Sequence, residues 1–566
     1  MHIPFTLRLT AIGAVLLTVI GCWQPETGSS PVPPTAAEAV SSDASGKYIQ
    51  PVTLRVGYYT TLESKWPEGS NDSFTDNRYT RRIEDLLNIR FVHAFEYPSS
   101  DYTQKVDLLI SSKNIPDFLL VTEKQFKRLA EAGMLEDMTE LYERHASPLL
   151  KSVFDSYGPR LMRRVTHHGR MLGIPSTIPA HDADGVVWIR QDWLRKVGIQ
   201  LPEAITTGDI ERVAKAFIEQ DPDGNGIRDT HGIQSTSTFV TGTIGFNTLD
   251  PYFGAFQSFP RIWIKREDGS LVYGSITANT KQALGKLREM YAAGLIDPNF
   301  GTGKPDQFAK DISSGKAGIG SGYTSAPMKL LAGSVKNNPA AEWDAHYVVA
   351  ADGRYYTRQP DPLGRIMVVK KGAKNPEAII KAINVFADLD NNAPGVSQVY
   401  MDSPGTNWSV RPVQATFRTE QTVVNRFQRF QDAASGKLPR TQLLSSDRKI
   451  FEDYLKGFRQ LVASPQDWAY VLYQYRGGRA VLSPANVPVY SEFYGMTSTM
   501  DNQWDSLLHL ENESFMRIIV GDKPLDYFDT FVTEWLARGG EAITQEVEAA
   551  VTDMKRPASV PAQPGE

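Results

Sequence analysis

The sequence predicts an α/β protein of two or more lobes, the first with mainly parallel strand pairing. Three observations predict it. Strand-like runs alternate with helix-like runs through the first folded stretch, the order that lays helices over a parallel sheet. With 566 residues the chain is too long for one hydrophobic core. It has one cysteine, Cys22, so no internal disulfide can substitute for cores.

The elements follow in order. Val52-Thr-Leu-Arg-Val-Gly-Tyr-Tyr59 alternates as a strand. Arg78 to Leu87 reads as a helix, Ile89 to Phe95 as a strand and Tyr102 to Ser112 as a helix. Pro116-Asp-Phe-Leu-Leu-Val121 is a short buried strand, and Lys124 to Ala132 a helix ended by Gly133. A second block opens near Gly173-Ile-Pro. In it, Val186 to Arg190 is a strand and Gln191 to Val197 a helix. Thr207 to Glu219 is a helix with Ile210, Val213 and Phe217 on one face. Ala278 to Ala293 is a long amphipathic helix stopped by Gly294. Pro376 to Ala387 and Asp447 to Val462 are further helices. Phe528, Phe531, Val532, Trp535 and Leu536 recur at helical spacing before Gly539-Gly540, the mark of a core-facing stripe.

The amino terminus reads as an export signal. Arg8 precedes an apolar run from Leu9 to Gly21, about 13 residues where a membrane span needs roughly 20. Val19-Ile20-Gly21-Cys22 resembles the lipobox of bacterial lipoproteins. That resemblance implies cleavage before Cys22 and a diacylglycerol on its sulfur; a plain signal peptide with a chance cysteine is the alternative. The Pro/Ser/Thr/Ala-rich stretch that follows is too poor in bulky apolar residues to fold, and reads as a tether. Residues 555–566 read as a frayed tail. The net charge of −5 is dispersed, with no basic block, which argues against a nucleic-acid partner.

Catalytic motifs are scarce. There is no His-Glu-x-x-His and no Gly-x-Ser-x-Gly. Gly301-Thr-Gly-Lys304 and Gly318-Ile-Gly-Ser-Gly322 lack the spacing of nucleotide-binding loops. His167-His168-Gly169 suits a turn between two strands, and His181-Asp182-Ala-Asp184 a solvated loop. A glycosidase carboxylate pair stays open, since the two acids need not be near in sequence.

One metal motif stands out. Asp221, Asp223, Asn225 and Asp229 place oxygen ligands at positions 1, 3, 5 and 9 of a loop, with the Ile227 carbonyl at 7 and Gly226 at the sharp turn. That is the spacing of an EF-hand-type calcium loop, in a structural role. Position 12 is Gly232, which has no ligand side chain; a plain Asp/Asn/Gly turn is the alternative. Among the aromatic residues, those beside turns and polar groups could offer platforms to sugar C–H faces, with carboxylates for the hydroxyls. Trp66 and Glu68, in Trp-Pro-Glu-Gly, lead that set, followed by Trp188, Tyr323, Trp408 and Tyr494; the alternative for each is the core.

In this order along the chain, several motifs resemble the extracellular solute-binding proteins of family 1, and within it the large lipoproteins of Gram-positive carbohydrate importers. They are Trp66-Pro-Glu-Gly69, Ser112-Ser-Lys-Asn-Ile-Pro-Asp117, Gly173-Ile-Pro-Ser176 with Trp188-Ile-Arg-Gln-Asp-Trp-Leu194, and Asp221-Pro-Asp-Gly-Asn-Gly226. Gly294-Leu-Ile-Asp-Pro298, Gly315-Lys-Ala-Gly318 and Tyr527-Phe-Asp-Thr-Phe-Val-Thr-Glu-Trp535 follow. The resemblance implies a periplasmic-binding-protein-like fold, two α/β lobes joined by a hinge with the ligand cleft between them. The expected organisation is a signal peptide at 1–21, a tether at 22–48, a first lobe from 49–175, and a second lobe with the calcium loop at 176–325. A return to the first lobe follows at 326–420, then a helical part shared with the second lobe at 421–554. Calcium-loop relatives often carry an acid just after position 9; here that residue is Thr230.

The resulting expectation is a non-enzymatic, monomeric protein, lipid-anchored on the extracellular face of the cell membrane, that captures oligosaccharide for the permease of an ABC importer. A secreted carbohydrate-active enzyme and a ligand-sensing ectodomain of a membrane receptor are the alternatives.

Overall fold

The computed structural model describes residues 42–43, 45–61, 64, 66, 69–240, 248–302, 305–393 and 408–555. Two five-stranded sheets organise them. In the first, Val52–Thr60 pairs in parallel with Ile89–Pro98 on one side and with Phe118–Val121 on the other. Leu363–Val369 then runs antiparallel to Phe118–Val121 and to Ile174–Thr177 at the far edge. The parallel part is the strand–helix alternation of the amino-terminal sequence; the antiparallel strand arrives from much later in the chain.

Local chemistry sets the helices between these strands. Asn77 and Thr122 each accept the backbone N–H three residues on, and Thr80 and Gln125 reach back to the cap N–H, so Arg78–Leu87 and Glu123–Glu131 both start from a capping box. Asn88 closes the first of them in the left-handed region, φ 56°.

In the second sheet Gly185–Arg190 is the central strand. Ala317–Tyr323 and Trp343–Val348 flank it antiparallel, and His231–Ile233 and Ala204–Ile205 form the edges. Both faces are covered, and the two-residue period of the strand assigns its side chains. Val187 and Ile189 join a core with Trp193, Phe217, Phe515, Phe531 and Trp535. Val186 and Trp188 face the other way, into a core with Trp343, Trp468 and Leu472. The aromatic stripe near the C-terminus is therefore core, with Trp535 stacked on Tyr273 at 4.9 Å. Glu511, fully buried, pairs with Arg261 at 3.0 Å and accepts from the Tyr273 hydroxyl at 2.9 Å, which fixes the Met500–Ile519 helix to this core.

Two boundaries differ from the sequence reading. Trp343–Val348 pairs in the second sheet, so the chain regains the first sheet at Leu363 rather than near 326. Local patterning cannot say which sheet a strand joins. The expected Asp447–Val462 helix is two, Ser445–Lys456 and Phe458–Leu461. Gly457 separates them at φ 81°, a conformation that costs other residues dearly. Among the described residues no helix is long and apolar enough to cross a membrane.

Among the described residues the chain passes between the lobes three times, and the three passages lie side by side. They are Thr177–Gly185, Val348–Leu363 and Thr416–Thr422. The Thr177 N–H donates to the Thr416 carbonyl at 2.8 Å, and the Thr416 hydroxyl donates back to the Thr177 carbonyl at 2.8 Å. The Arg418 N–H donates to the Thr177 hydroxyl at 2.7 Å, Ile178 N–H to Pro362 O at 2.9 Å, and Ala180 N–H to Glu420 O at 3.1 Å. A fourth segment, Asn486–Val489, pairs in parallel with Tyr355–Arg358 of the second passage.

Candidate functional site

The passages are held by a buried polar network. Asp184, fully buried, accepts from His181 Nδ1 at 2.7 Å, Gln359 Nε2 at 3.0 Å and Asn486 Nδ2 at 2.9 Å. Gln359 Oε1 accepts the His181 N–H at 2.7 Å. One carboxylate thus joins the first passage, the second passage and the C-terminal segment. The His181–Asp184 stretch is this network and not the solvated loop the sequence suggests, because three passages converge there and cover it. Burial lowers the His181 imidazole's affinity for a proton, but the Asp184 carboxylate outweighs burial and raises the pKa above its usual value. Tyr494 sits at the same place. Its hydroxyl accepts from the Ser491 N–H at 3.0 Å and lies 3.4 Å from the Gln359 carbonyl, and burial pushes its pKa up to about 12.

On the first-lobe side, the end of Val52–Thr60 carries an aromatic cluster in which Trp66 and Phe74 are half-buried and Tyr58 is fully buried behind them. Trp66, half-buried, meets Phe74 edge-on at 5.2 Å; Phe74 meets Tyr58 at 5.2 Å, and Tyr58 stacks on His93 at 4.2 Å. The Tyr58 hydroxyl donates to Ser409 O at 3.0 Å, and Gln414 brackets the Tyr59 backbone, accepting from its N–H at 3.1 Å. The Trp408–Val410 turn is thereby brought beside the Trp66 loop. The Arg365 guanidinium lies over the Tyr59 and Tyr102 rings at 5.3 and 5.5 Å, and one of its terminal nitrogens is buried without a hydrogen-bond partner.

The lobes also touch through ion pairs and hydrogen bonds. Arg164 binds Glu123 at 2.5 Å and Asp361 of the second passage at 2.5 Å, and Arg160 pairs with Glu420 of the third. Lys127 and Lys124 donate to the carbonyls of Met496 and Asp501, at 2.5 and 3.1 Å.

The sequence candidates fall differently in this frame. Trp66 is in the aromatic cluster. Tyr323 and Tyr494 lie at the passages; Tyr323 is 2% exposed and lines a slot of about 30 Å3 with Asp250 and Arg358. Trp188 is 1% exposed, its indole N–H donating to Tyr323 O at 3.1 Å, so as a central-strand residue it offers no face to a ligand. Glu68, Cys22 and the Trp408 side chain lie outside the described residues. Sequence reasoning passed over Tyr58, Arg365 and Asp184. Arg365 had a signal, a lone cation in the apolar run Leu363-Gly-Arg-Ile-Met-Val-Val369. Asp184 had none, because its partners are 175 and 302 residues away.

The Asp221–Asp229 loop stands apart from this cluster. Asp221 (φ 48°), Gly224 and Gly226 take left-handed conformations that curl it. The Gly226 N–H donates to Asp221 Oδ2 at 2.9 Å, and Asn225 Nδ2 donates to Asp223 and Asp229 at 2.7 and 3.1 Å. A hydrogen bond between Asp221 and Asp223 lowers the pKa of the first; burial, with that same bond, raises the pKa of the second. Asp221 Oδ1 is buried without a partner. An unpartnered oxygen and two crowded carboxyls are what a cation would relieve, so the donor set at positions 1, 3 and 5 fits calcium. Two features weaken it. The Lys316 ammonium binds Asp229 at 3.1 Å, and a Cβ on Gly232 would overlap the Leu295 carbonyl oxygen, so position 12 can hold no ligand side chain. Thr230 turns away, its hydroxyl donating to Phe217 O at 2.5 Å.

The chain belongs to the bacterial extracellular solute-binding protein family, which matches residues 88–393, more than half of its length. The polygalacturonan/rhamnogalacturonan-binding protein YtcQ of Bacillus subtilis (strain 168) is 22% identical over 482 residues, 85% of this chain and 89% of YtcQ. Lipoprotein LipO of the same organism is 28% identical over 268 residues, 46% of this chain and 50% of LipO. Among solved structures, the Streptococcus pneumoniae ABC-transporter substrate-binding protein FusA, in complex with kestose, superposes with a TM-score of 0.58 at 18% identity. That match covers 89% of this chain and 99% of FusA. An EF-hand mutant of FusA superposes with a TM-score of 0.57 at 17% identity, over 89% of this chain and 99% of that one. These superpositions establish the fold: a periplasmic-binding-protein-like pair of lobes. The family is one of binding proteins.

The His181–Asp184 pair makes a pH-dependent contribution. A histidine whose pKa rises on folding stabilises most below its unfolded value near 6.5, and the gain is lost as pH climbs through the folded value. We expect His181→Gln to cost about 1.5–3 kcal/mol near pH 5.5, the range for a hydrogen bond to a charged group, and clearly less near pH 8. Urea titrations of both proteins at the two pH values read this; an equal cost at both would contradict it.

Proposed function

We propose that this protein captures oligosaccharides between its two lobes outside the cell, held to the membrane by a lipid on Cys22, and presents them to the permease of an ABC importer. The observation that carries the reading is the pair of half-buried rings Trp66 and Phe74, backed by the buried Tyr58, with a partly buried Arg365 on the same lobe and three passages bonded side by side next to them. Aromatic faces suit sugar rings, and the unpartnered guanidinium nitrogen suits a hydroxyl or carboxylate acceptor. YtcQ and FusA, whose names and complexes involve oligomeric sugars, support the ligand class. LipO, a lipoprotein, supports the anchor. In this reading the protein works as a monomer and performs no chemistry; ligand favours the closed arrangement, and the permease recognises that arrangement. Calcium in the Asp221–Asp229 loop is part of the proposal, as a structural ion held by Asp221, Asp223, Asn225, Asp229 and the Ile227 carbonyl with water completing the shell.

Three outcomes are expected. A panel of oligosaccharides incubated with the protein should return intact, and calorimetry should show Trp66→Ala weakening the bound sugar by about 5- to 150-fold, the effect of one good contact, with melting unchanged. Unchanged affinity would remove Trp66 from the site, and cleaved sugar would favour an enzyme. Cys22→Ala should abolish detergent-phase partitioning of the mature protein, because two buried acyl chains contribute about 0.8 kcal/mol per CH₂. A wild-type mature protein without lipid would refute the anchor. Melting in millimolar calcium should exceed melting in chelator, as for a site of about 10⁻⁴ M affinity, and Asp223→Ala should remove the difference. Identical curves for the wild type would reduce the loop to a turn.

A further inference from the structure

We propose that His231, Asp297 and Asp311 form a binding site for a divalent first-row transition-metal ion, remote from the cleft and separate from the Asp221–Asp229 loop. The three residues come from different parts of the second lobe. His231 opens an edge strand, and Asp311 lies on the Pro305–Ser314 helix. Asp297 follows a segment stitched to that strand, Ile233 N–H donating to Leu295 O at 2.7 Å and Asp297 N–H to Ile233 O at 2.9 Å. One ligand atom from each residue lies within 4.8 Å of the others. His231 Nδ1 and Asp297 Oδ2 are 3.6 Å apart, close to the edge of about 3.4 Å that a tetrahedron with bonds near 2.0–2.1 Å requires.

Two features separate this cluster from an ordinary acidic patch. Asp297 and Asp311 are 3% and 8% exposed, so both carboxylates are withdrawn from water and face one another. Gln234 is completely buried and directed at them, its Nε2 lying 3.0 Å from Asp311 Oδ2 and 3.4 Å from Asp297 Oδ2. The Gln234 Oε1 atom has no partner. As it stands, the amide holds the two carboxylates side by side, as groups around metal ligands do; a half-turn would aim its oxygen at the same centre. Gln307 Nε2 and the Asn299 N–H fix the other carboxylate oxygens at 2.9 and 2.8 Å.

The donor set selects the metal. One imidazole nitrogen with two carboxylates suits zinc or manganese better than calcium, which takes oxygen alone, or copper(I), which favours thiolates. A cavity of about 660 Å3 lined by the three residues gives access from solvent. Lys316, on its wall, is engaged with Asp229. His231 pairs with Ala317, while the other end of that strand, Tyr323, pairs with Gly185 at the passages. Six residues of strand place the site roughly 20 Å from the hinge. A bound ion would clamp strand, segment and helix, bracing the second lobe without touching ligand.

The full chain, stripped with chelator, is titrated with Co2+ and followed by visible absorption, then with Zn2+ by calorimetry. One ion per chain is expected, with Co2+ bands that Zn2+ displaces. His231→Ala and Asp311→Asn should each weaken binding by about 10-fold or more, and Asp223→Ala should leave it unchanged. Asp311→Asn, nearly isosteric, decides the matter if His231→Ala does not fold. Absence of one-to-one binding at about 100 µM ion, or binding that survives the variants, would overturn the proposal.

Discussion

Thr177 is the residue on which the two-lobed arrangement turns. Its N–H, carbonyl and hydroxyl all bond to Thr416–Arg418, and Ile178 bonds to Pro362 beside it. Each such bond contributes only about 1 kcal/mol net, yet together they make three separate passages behave as one ribbon. The lobes can then rotate about a shared line without sliding past one another. Asp184 adds the complementary constraint. A buried carboxylate must keep its donors, and its donors sit on three segments, so none of them can leave alone.

The remaining architecture follows from that ribbon. The first two passages deliver the chain to the central strand Gly185–Arg190 and to Leu363–Val369, and the third delivers it to the Thr422–Ala434 helix. The cluster around Trp66 sits on the first lobe and Tyr323 and Tyr494 sit at the joint, so rotation changes the space between them. Ion pairs such as Arg164 with Asp361 connect lobe to joint, and they are the contacts whose rearrangement rotation would demand. The acidic loop and the His231 cluster lie at the far end of the second sheet, where an ion would stiffen the lobe.

The sequence carried the amino-terminal half of the fold well. Arg78–Leu87 and Thr207–Glu219 appear with the expected limits because capping side chains and apolar periodicity agree there. His167 to Arg170 forms the expected two-stranded turn, with φ of 49° at His168 and 76° at Gly169. Apart from the break at Gly457, what failed was non-local. Trp343–Val348 has the pattern of a strand for any sheet, and only its partner Arg190–Val187 assigns it. Trp188 shares its aromatic chemistry with Trp66, but a central strand covered on both faces leaves it no surface. The His181–Asp184 stretch reads as polar loop because its hydrogen-bond partners are hundreds of positions away. The Asp221–Asp229 spacing was legible, whereas the Gln234 amide that joins Asp297 to Asp311 was not.

The claim that the passages act as one hinge for closure on an oligosaccharide is tested most directly by small-angle X-ray scattering of the mature protein, alone and with saturating sugar. The account expects a smaller radius of gyration in the complex, with each lobe's own scattering preserved, and a smaller change when Thr177 is replaced by Val, which removes the hydroxyl bond to Arg418. A radius of gyration unchanged by a sugar that calorimetry shows to be bound would contradict it.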